Sequence, residues 1–216
     1  NGNNIYYTST EVSPLQRHFY KHNLKSGKKV QITKEHGTHG VTPSASGKYF
    51  IDSYSSTDVA RNVDIMDANG KYVKRLHEAV DPLKDYNIGT IELGELKAED
   101  GQTLYTRMIK PYNFDPNKKY PVIIYVYGGP HAQMITDEWT AGAGIYLHYL
   151  SQEGFIVFTL DNRGSADRGE AFEQVIHRQC GQAEMRDQKV GIDYLKSLPY
   201  VDAERIGTDG WSYGGF

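Results

Sequence analysis

Gly210-Trp211-Ser212-Tyr213-Gly214-Gly215-Phe216, the last seven of 216 residues, sets a serine in the frame Gly-x-Ser-x-Gly. Such a frame can form a nucleophile elbow, a sharp strand-to-helix turn that holds a serine Oγ clear of the backbone. Glycine suits the flanks because a Cβ there would collide with the tight turn. Taken alone the frame is weak, since loops collect both Gly and Ser, so the preceding sequence must supply a strand and a sheet to present it.

Three apolar runs supply them. Pro121-Val122-Ile123-Ile124-Tyr125-Val126-Tyr127 and Phe155-Ile156-Val157-Phe158-Thr159-Leu160 read as strands covered on both faces, and a third strand near Arg205 to Trp211 leads into the elbow. Helical patterns fall between them: roughly Trp139 to Glu153, with Ile145, Leu147 and Leu150 apolar, then Gly169 to Ile176 and Ala183 to Leu198. Ile88 to Leu96 and Thr103 to Ile109 read as earlier strands, followed by a proline-bounded loop over Lys110 to Pro116. Alternating strand and helix from about Ile88 onward predicts a mostly parallel, doubly wound sheet. In open α/β sheets the site lies at the carboxyl ends of strands. Three such ends then matter: Tyr127, Asp161 and Ser212.

Residues 1–83 follow a different period. Ile5 to Thr8, His18 to His22, Lys29 to Ile32, Tyr49 to Asp52, Val63 to Met66 and Tyr72 to Leu76 are short, aromatic or β-branched, and bounded by turn residues. The pattern repeats: Lys25-Ser26-Gly27-Lys28-Lys29-Val30 returns as Ala68-Asn69-Gly70-Lys71-Tyr72-Val73, a shift of 43 residues. Each unit reads as a strand, a polar loop (Ser9 to Gln16, Ser53 to Arg61), a strand, a hairpin turn and a last strand. A repeat of about 40–45 residues with several strands is what a β-propeller blade requires, with a small β-sandwich as the alternative. Fewer than two full blades cannot close a ring of about 4–8, so residues 1–83 are either a piece of a longer propeller or no propeller at all.

Composition narrows the function. The formal net charge is −3, with Lys and Arg spread along the chain, so no basic footprint for nucleic acid is present. Mean hydropathy is −0.61, but 17 tyrosines supply rings that bury well while their hydroxyls find partners. The single cysteine, Cys180, leaves no internal disulfide or zinc spacing and is expected to be a small semi-buried residue. No metal or cofactor is expected. No apolar run reaches the roughly 18 residues of a membrane span, and Asn1-Gly2-Asn3-Asn4 is no signal peptide.

At the strand ends the chemistry becomes specific. Ser212 is the expected nucleophile, and the backbone N–H of Tyr213, the next residue, is the expected donor to the oxyanion formed when a carbonyl is attacked. A second donor should come from Tyr127-Gly128-Gly129-Pro130-His131, where the Tyr127 hydroxyl could act; the alternative is a structural tyrosine. Asp161, in Asp161-Asn162-Arg163-Gly164-Ser165, is read as a turn residue whose carboxylate bonds its own backbone. All eight histidines precede Ser212, whereas the triad order in this fold is Ser, Asp, His, so none of them, His131 included, is expected to be the general base.

The blade repeat, Tyr127-Gly128-Gly129-Pro130, Asp161-Asn162-Arg163-Gly164-Ser165 and Gly210-Trp211-Ser212-Tyr213-Gly214-Gly215-Phe216 together resemble the prolyl oligopeptidase family of serine peptidases, in particular its dipeptidyl peptidase IV branch of bacterial type. The resemblance covers essentially the whole chain: it implies that residues 1–83 are the C-terminal part of a β-propeller and residues 84–216 the first half of an α/β-hydrolase catalytic domain. It implies Ser212 as nucleophile, the Tyr127 hydroxyl and Tyr213 backbone as oxyanion donors, Trp211 in substrate contact, and release of N-terminal dipeptides after Pro or Ala through an acyl-enzyme. It also implies peptide substrates, a location in the periplasm or cell envelope, and a homodimer of the full-length protein. Substrate-anchoring glutamates of an earlier propeller region and the triad Asp and His have no counterpart in these residues, so the 216-residue chain is expected to be inactive alone and to aggregate through an exposed sheet edge. Tripeptidyl or acylaminoacyl peptidases share the elbow. A non-catalytic peptide-binding propeller is the alternative from another class.

Overall fold

The computed structural model describes residues 2–216. Two compact units form: one takes the chain up to Pro82 together with Thr136–Gly142, the other Leu83–Ile135 and Ala143–Phe216.

The first unit is built from antiparallel meanders. β1 (Asn4–Ser9), β2 (His18–Asn23) and β3 (Lys29–Gln31) form a three-stranded sheet, and β4 (Thr38–Pro43), β5 (Tyr49–Ser56), β6 (Val59–Asp67) and β7 (Tyr72–Glu78) a four-stranded one. The sequence repeat is a structural repeat. Its β2–β3 and β6–β7 hairpins turn through Gly27 and Gly70, with φ of 68° and 83°. Each is set by the same device: Asn23 Oδ1 accepts from the backbone of Lys25 and Ser26, and Asp67 Oδ1 from that of Asn69 and Lys71. Phe19, Ile32, Phe50 and Met66 pack together, with Tyr6 laid against both Phe19 and Phe50.

One strand goes unread in the sequence here, and one expectation fails. Thr38–Pro43 is a strand that composition hides, since only Val41 carries a strand-forming apolar side chain. Its His39 is buried, and Nδ1 lies 2.8 Å from Asp52 of the neighbouring strand. Ser53 to Arg61 is no polar loop: β5 runs on to Ser56 and β6 starts at Val59. Alternate residues Phe50, Asp52, Tyr54 and Ser56 are buried, and polar ones among them are bonded, so a polar stretch stays in the sheet.

The second unit holds a five-stranded sheet of β8 (Thr90–Lys97), β9 (Thr103–Lys110), β10 (Tyr120–Val126), β11 (Ile156–Leu160) and β12 (Val201–Gly210), in the spatial order β8-β9-β11-β10-β12. It is mixed instead of mostly parallel: β10 runs parallel to β11 and β12, whereas β9 is antiparallel to both β11 and β8. The cause is local, because β8 and β9 are joined by a tight hairpin closed by Ala98 N–H to Gln102 O, and a hairpin can pair only antiparallel strands. The helices are α1 (Ile145–Gln152), α2 (Glu170–Glu173) and α3 (Ala183–Ser197). α1 starts later than expected, since Thr140 and Ala141 take positive φ in a separate 3-10 turn at Trp139–Gly142. All five residues of β11 are buried. Ile156, Phe158 and Leu160 join a core with Leu195 of α3, while Val157 joins Leu147 of α1 on the other face. Among the described residues no helix is long and apolar enough to cross a membrane.

Candidate active site

Strand pairing places the predicted residues side by side. Val126 is the register partner of Gly210, so β10 and β12 end together, Tyr127 following one and Trp211-Ser212 the other. The approach is close enough to require glycine. A Cβ on Gly210 would stand 2.2 Å from Gly214 O, and one on Gly214 would stand 2.0 Å from Val126 O. Backbone atoms cannot yield as a flexible side chain could, so the elbow is tight for steric reasons.

Ser212 sits at φ 54°, in the left-handed region. For a non-glycine residue that conformation costs about 1–3 kcal/mol and persists only where the surroundings impose it. Here Gly214 N–H donates to Trp211 O at 2.9 Å and Phe216 N–H to Tyr213 O at 3.1 Å, closing the turn around the serine. The serine itself is exposed. Trp211 is 78% exposed, which leaves its ring free to meet a second molecule.

Tyr213 turns inward. Its hydroxyl donates to Glu184 Oε1 at 2.7 Å, and its ring lies 6.4 Å from that of Tyr127. Burial first, then the Cys180 and Glu184 contacts, push the phenol well above its ordinary value. Gly129 passes between the two tyrosines: a Cβ there would stand 2.7 Å from Tyr127 Cε1 and 2.9 Å from Tyr213 Cγ. Tyr127, Tyr213, Glu184, Gln188, Asn162 and Cys180 line a cleft of about 330 Å³.

The end of β11 holds this arrangement from behind. Asn162 Nδ2 donates to Gly128 O at 3.1 Å and to Arg163 O at 2.7 Å, and its Oδ1 accepts from Gln188 Nε2 at 3.0 Å. Arg163 is buried and paired with Asp187, its Nη2 2.7 Å from Oδ1, while its backbone N–H donates to Oδ2 at 2.8 Å. The expected self-bonded turn at Asp161 is wrong in its partner. The carboxylate accepts from the backbone of Met134 at 2.9 Å and Ile135 at 3.0 Å, tying down the far end of the Tyr127 loop. Burial pushes Asp161 up to about 6, against the pull of those N–H groups and of Arg107.

Cys180 is exposed, not semi-buried as expected, because it lies on the short Arg178–Gly181 turn before α3. His131 is mostly exposed and contacts Glu173 at 3.0 Å. The residues that sequence reading missed are Glu184, Asp187 and Gln188 on α3, whereas Asn162 and Arg163 after β11 stand in a motif that was read without a role for either. One signal for them was available: Glu184, Asp187, Gly191 and Leu195 recur at helical spacing on the buried face, so acidic groups share a face with core residues.

Comparison with known proteins finds related sequences and structures. The model of the prolyl oligopeptidase family matches residues 144–216, and that of the dipeptidyl peptidase IV N-terminal region matches residues 1–61. Dipeptidyl peptidase 8 of Mus musculus is 31% identical over 224 residues, covering 98% of this chain and 25% of that protein. The structure of dipeptidyl peptidase 4 of Porphyromonas gingivalis aligns with a TM-score of 0.90 at 33% identity, over 98% of this chain and 30% of the other. A Bacteroides ovatus structure assigned as a dipeptidyl aminopeptidase IV aligns with a TM-score of 0.92 at 43% identity, over 99% and 30%. The chain thus spans between a quarter and a third of the length of these relatives.

Proposed function

Because the chain belongs to the prolyl oligopeptidase family of serine peptidases, with α/β-hydrolase elements preceded by β-propeller blades, we propose that the full-length protein releases N-terminal dipeptides, after Pro or Ala, from peptides. Residues up to about 83 contribute the end of the propeller and residues from about 84 the first half of the catalytic domain. Ser212 attacks the scissile carbonyl, and the peptide beyond it leaves as an amine while the dipeptide stays as an ester on Oγ. Water then hydrolyses that ester. The Tyr127 hydroxyl and the Tyr213 backbone N–H donate to the oxyanion in both steps, and Trp211 contacts the substrate. The observation that carries this reading is Ser212, exposed and held at φ 54°, beside the end of β10 from which Tyr127 projects.

The test is made on the full-length protein, which is expected to hydrolyse Gly-Pro-anilide and to be labelled by a fluorophosphonate at Ser212. Ser212→Ala should abolish labelling and lower turnover by about 10⁴-fold or more. As a 216-residue polypeptide the chain should do neither at a measurable rate, because its eight histidines all precede Ser212 and a serine without a positioned base keeps an ordinary hydroxyl. Absence of labelling in the full-length protein would favour a binding propeller whose elbow is a relic. Labelling with preference for simple esters over proline-linked amides would place it among esterases.

A further inference from the structure

α3 presents three polar side chains to the strand ends within little more than one turn. Glu184 accepts the Tyr213 hydroxyl at 2.7 Å. Gln188, one turn further on, donates to Asn162 Oδ1 at 3.0 Å and to Leu160 O at 3.1 Å, and Asn162 in turn donates to Gly128 O at 3.1 Å. Asp187 between them holds Arg163, the residue after Asn162, by its backbone and its guanidinium. One side of a single 15-residue helix thus grips the elbow tyrosine and the loop that carries Tyr127.

Stability alone explains this poorly. Glu184 is 5% exposed, and among the described residues its Oε2 has no hydrogen-bond partner; nor does Gln188 Oε1. Burying a carboxylate for one phenol bond, with the second oxygen unsatisfied, costs free energy that an apolar residue of like size would not. A group that weakens the core yet fixes a neighbour's direction is better explained by what it positions. The direction at stake is that of the Ser212–Tyr213 peptide. Its N–H must point at a developing oxyanion, and it follows a residue held in the left-handed region.

We propose that Glu184 and Gln188 are positioning residues for catalysis, Glu184 aiming the Tyr213 N–H by tethering its hydroxyl and Gln188 aiming Tyr127 through Asn162 and the Gly128 carbonyl. The inference rests on the serine-peptidase reading above. Its role is in the transition state, so it acts on kcat and leaves substrate affinity alone.

The test compares wild type, Glu184→Ala, Glu184→Gln, Tyr213→Phe, the Glu184→Ala/Tyr213→Phe double variant and Gln188→Ala, all in the full-length protein. Steady-state kinetics on Gly-Pro-anilide and thermal melts are read together. Glu184→Ala, Tyr213→Phe and Gln188→Ala should each lower kcat by about 10-fold to 100-fold, the range a displaced catalytic group produces. KM should stay within about 3-fold, as expected for an interaction made only in the transition state. Glu184→Gln keeps a side-chain oxygen for the phenol and should recover most of the loss. The double variant should be no worse than its worse single, since both remove one bond. Glu184→Ala within about twofold of wild type in kcat, or losses that multiply in the double variant, would overturn the inference while leaving the serine-peptidase reading intact. If Glu184→Ala fails to fold, Tyr213→Phe and Glu184→Gln still decide it. A wild type that neither labels at Ser212 nor turns over would overturn both.

Discussion

The two units use polar side-chain pairs for opposite ends. In the first, His39 with Asp52 and Arg75 with Asp64 join neighbouring strands of one meander. These pairs tie what the chain order already places together. In the second, Arg163 with Asp187 joins a strand end to a helix, and Asp161 joins the end of β11 to the backbone of Met134 and Ile135 in the loop after β10. There the strand order β8-β9-β11-β10-β12 departs from the chain order, which brings distant loops to one edge. The lesson is that local pairing builds a wall, whereas out-of-order pairing builds a place where loops meet and must be held.

The largest break in this comparison should come from the loops themselves. Tyr127→Phe removes one hydroxyl and should lower kcat of the full-length protein by about 10²–10³-fold, with the melting temperature nearly unchanged. A change of similar size inside a blade, His39→Gln, should do the reverse, lowering the melting temperature while kcat per folded molecule stays level. Equal loss of kcat in both variants would erase the distinction.

Smaller in effect but sharper is the comparison of ion pairs. Arg163 and Asp187 side chains are 3% and 1% exposed, against 33% and 10% for Arg75 and Asp64. Asp187→Ala leaves a buried guanidinium without its main partner and should destabilise the protein by about 3–5 kcal/mol. Asp64→Ala should cost about 1 kcal/mol or less. Denaturant titrations of the two variants measure the difference, and equal costs would mean that burial is not what separates the pairs.

The smallest effect is a pH dependence of opposite sign in the two units. Burial, then the neighbouring His39, pushes His18 below its ordinary value. The folded state therefore binds fewer protons there than the unfolded chain, and this contribution weakens as pH falls through the unfolded value of about 6.5. Asp161 is pushed up to about 6. Its folded form binds more protons than the unfolded chain between about pH 4 and 6, so its contribution to stability grows as pH falls through that window. Melting temperatures from pH 8 to 5 should show Asp161→Asn losing ground to wild type on acidification and His18→Gln gaining it. Parallel curves for either variant would reject its share.

The elbow was legible in the sequence because steric necessity is written as residue identity: Gly210 and Gly214 can be nothing larger. Tyr127 at the end of an apolar run and the 43-residue repeat were legible for the same kind of reason, period and punctuation. What composition hid was polar structure satisfied by partners far away. Thr38–Pro43 looks like a loop until His39 meets Asp52, and Ser53–Ser56 until its alternate residues are buried. Asp161 was assigned a local partner because local bonds are the ones a sequence shows, whereas its donors lie 26 and 27 residues away. Glu184 and Gln188 escaped because a helix face bearing acids and amides reads as solvated until the strand ends arrive.

The contact between Val126 O and Gly214 has a consequence for mutational landscapes. Both the elbow and the end of β10 are fixed by the absence of a single methyl group, so the smallest possible side chain is already too large at Gly210 and Gly214. In a saturation library of the full-length protein selected only for folding, those two positions should be empty rows. Trp211 between them, solvent-facing and unconstrained, should accept nearly any residue. A barren–permissive–barren stripe of that kind would map the elbow without a single measurement of activity.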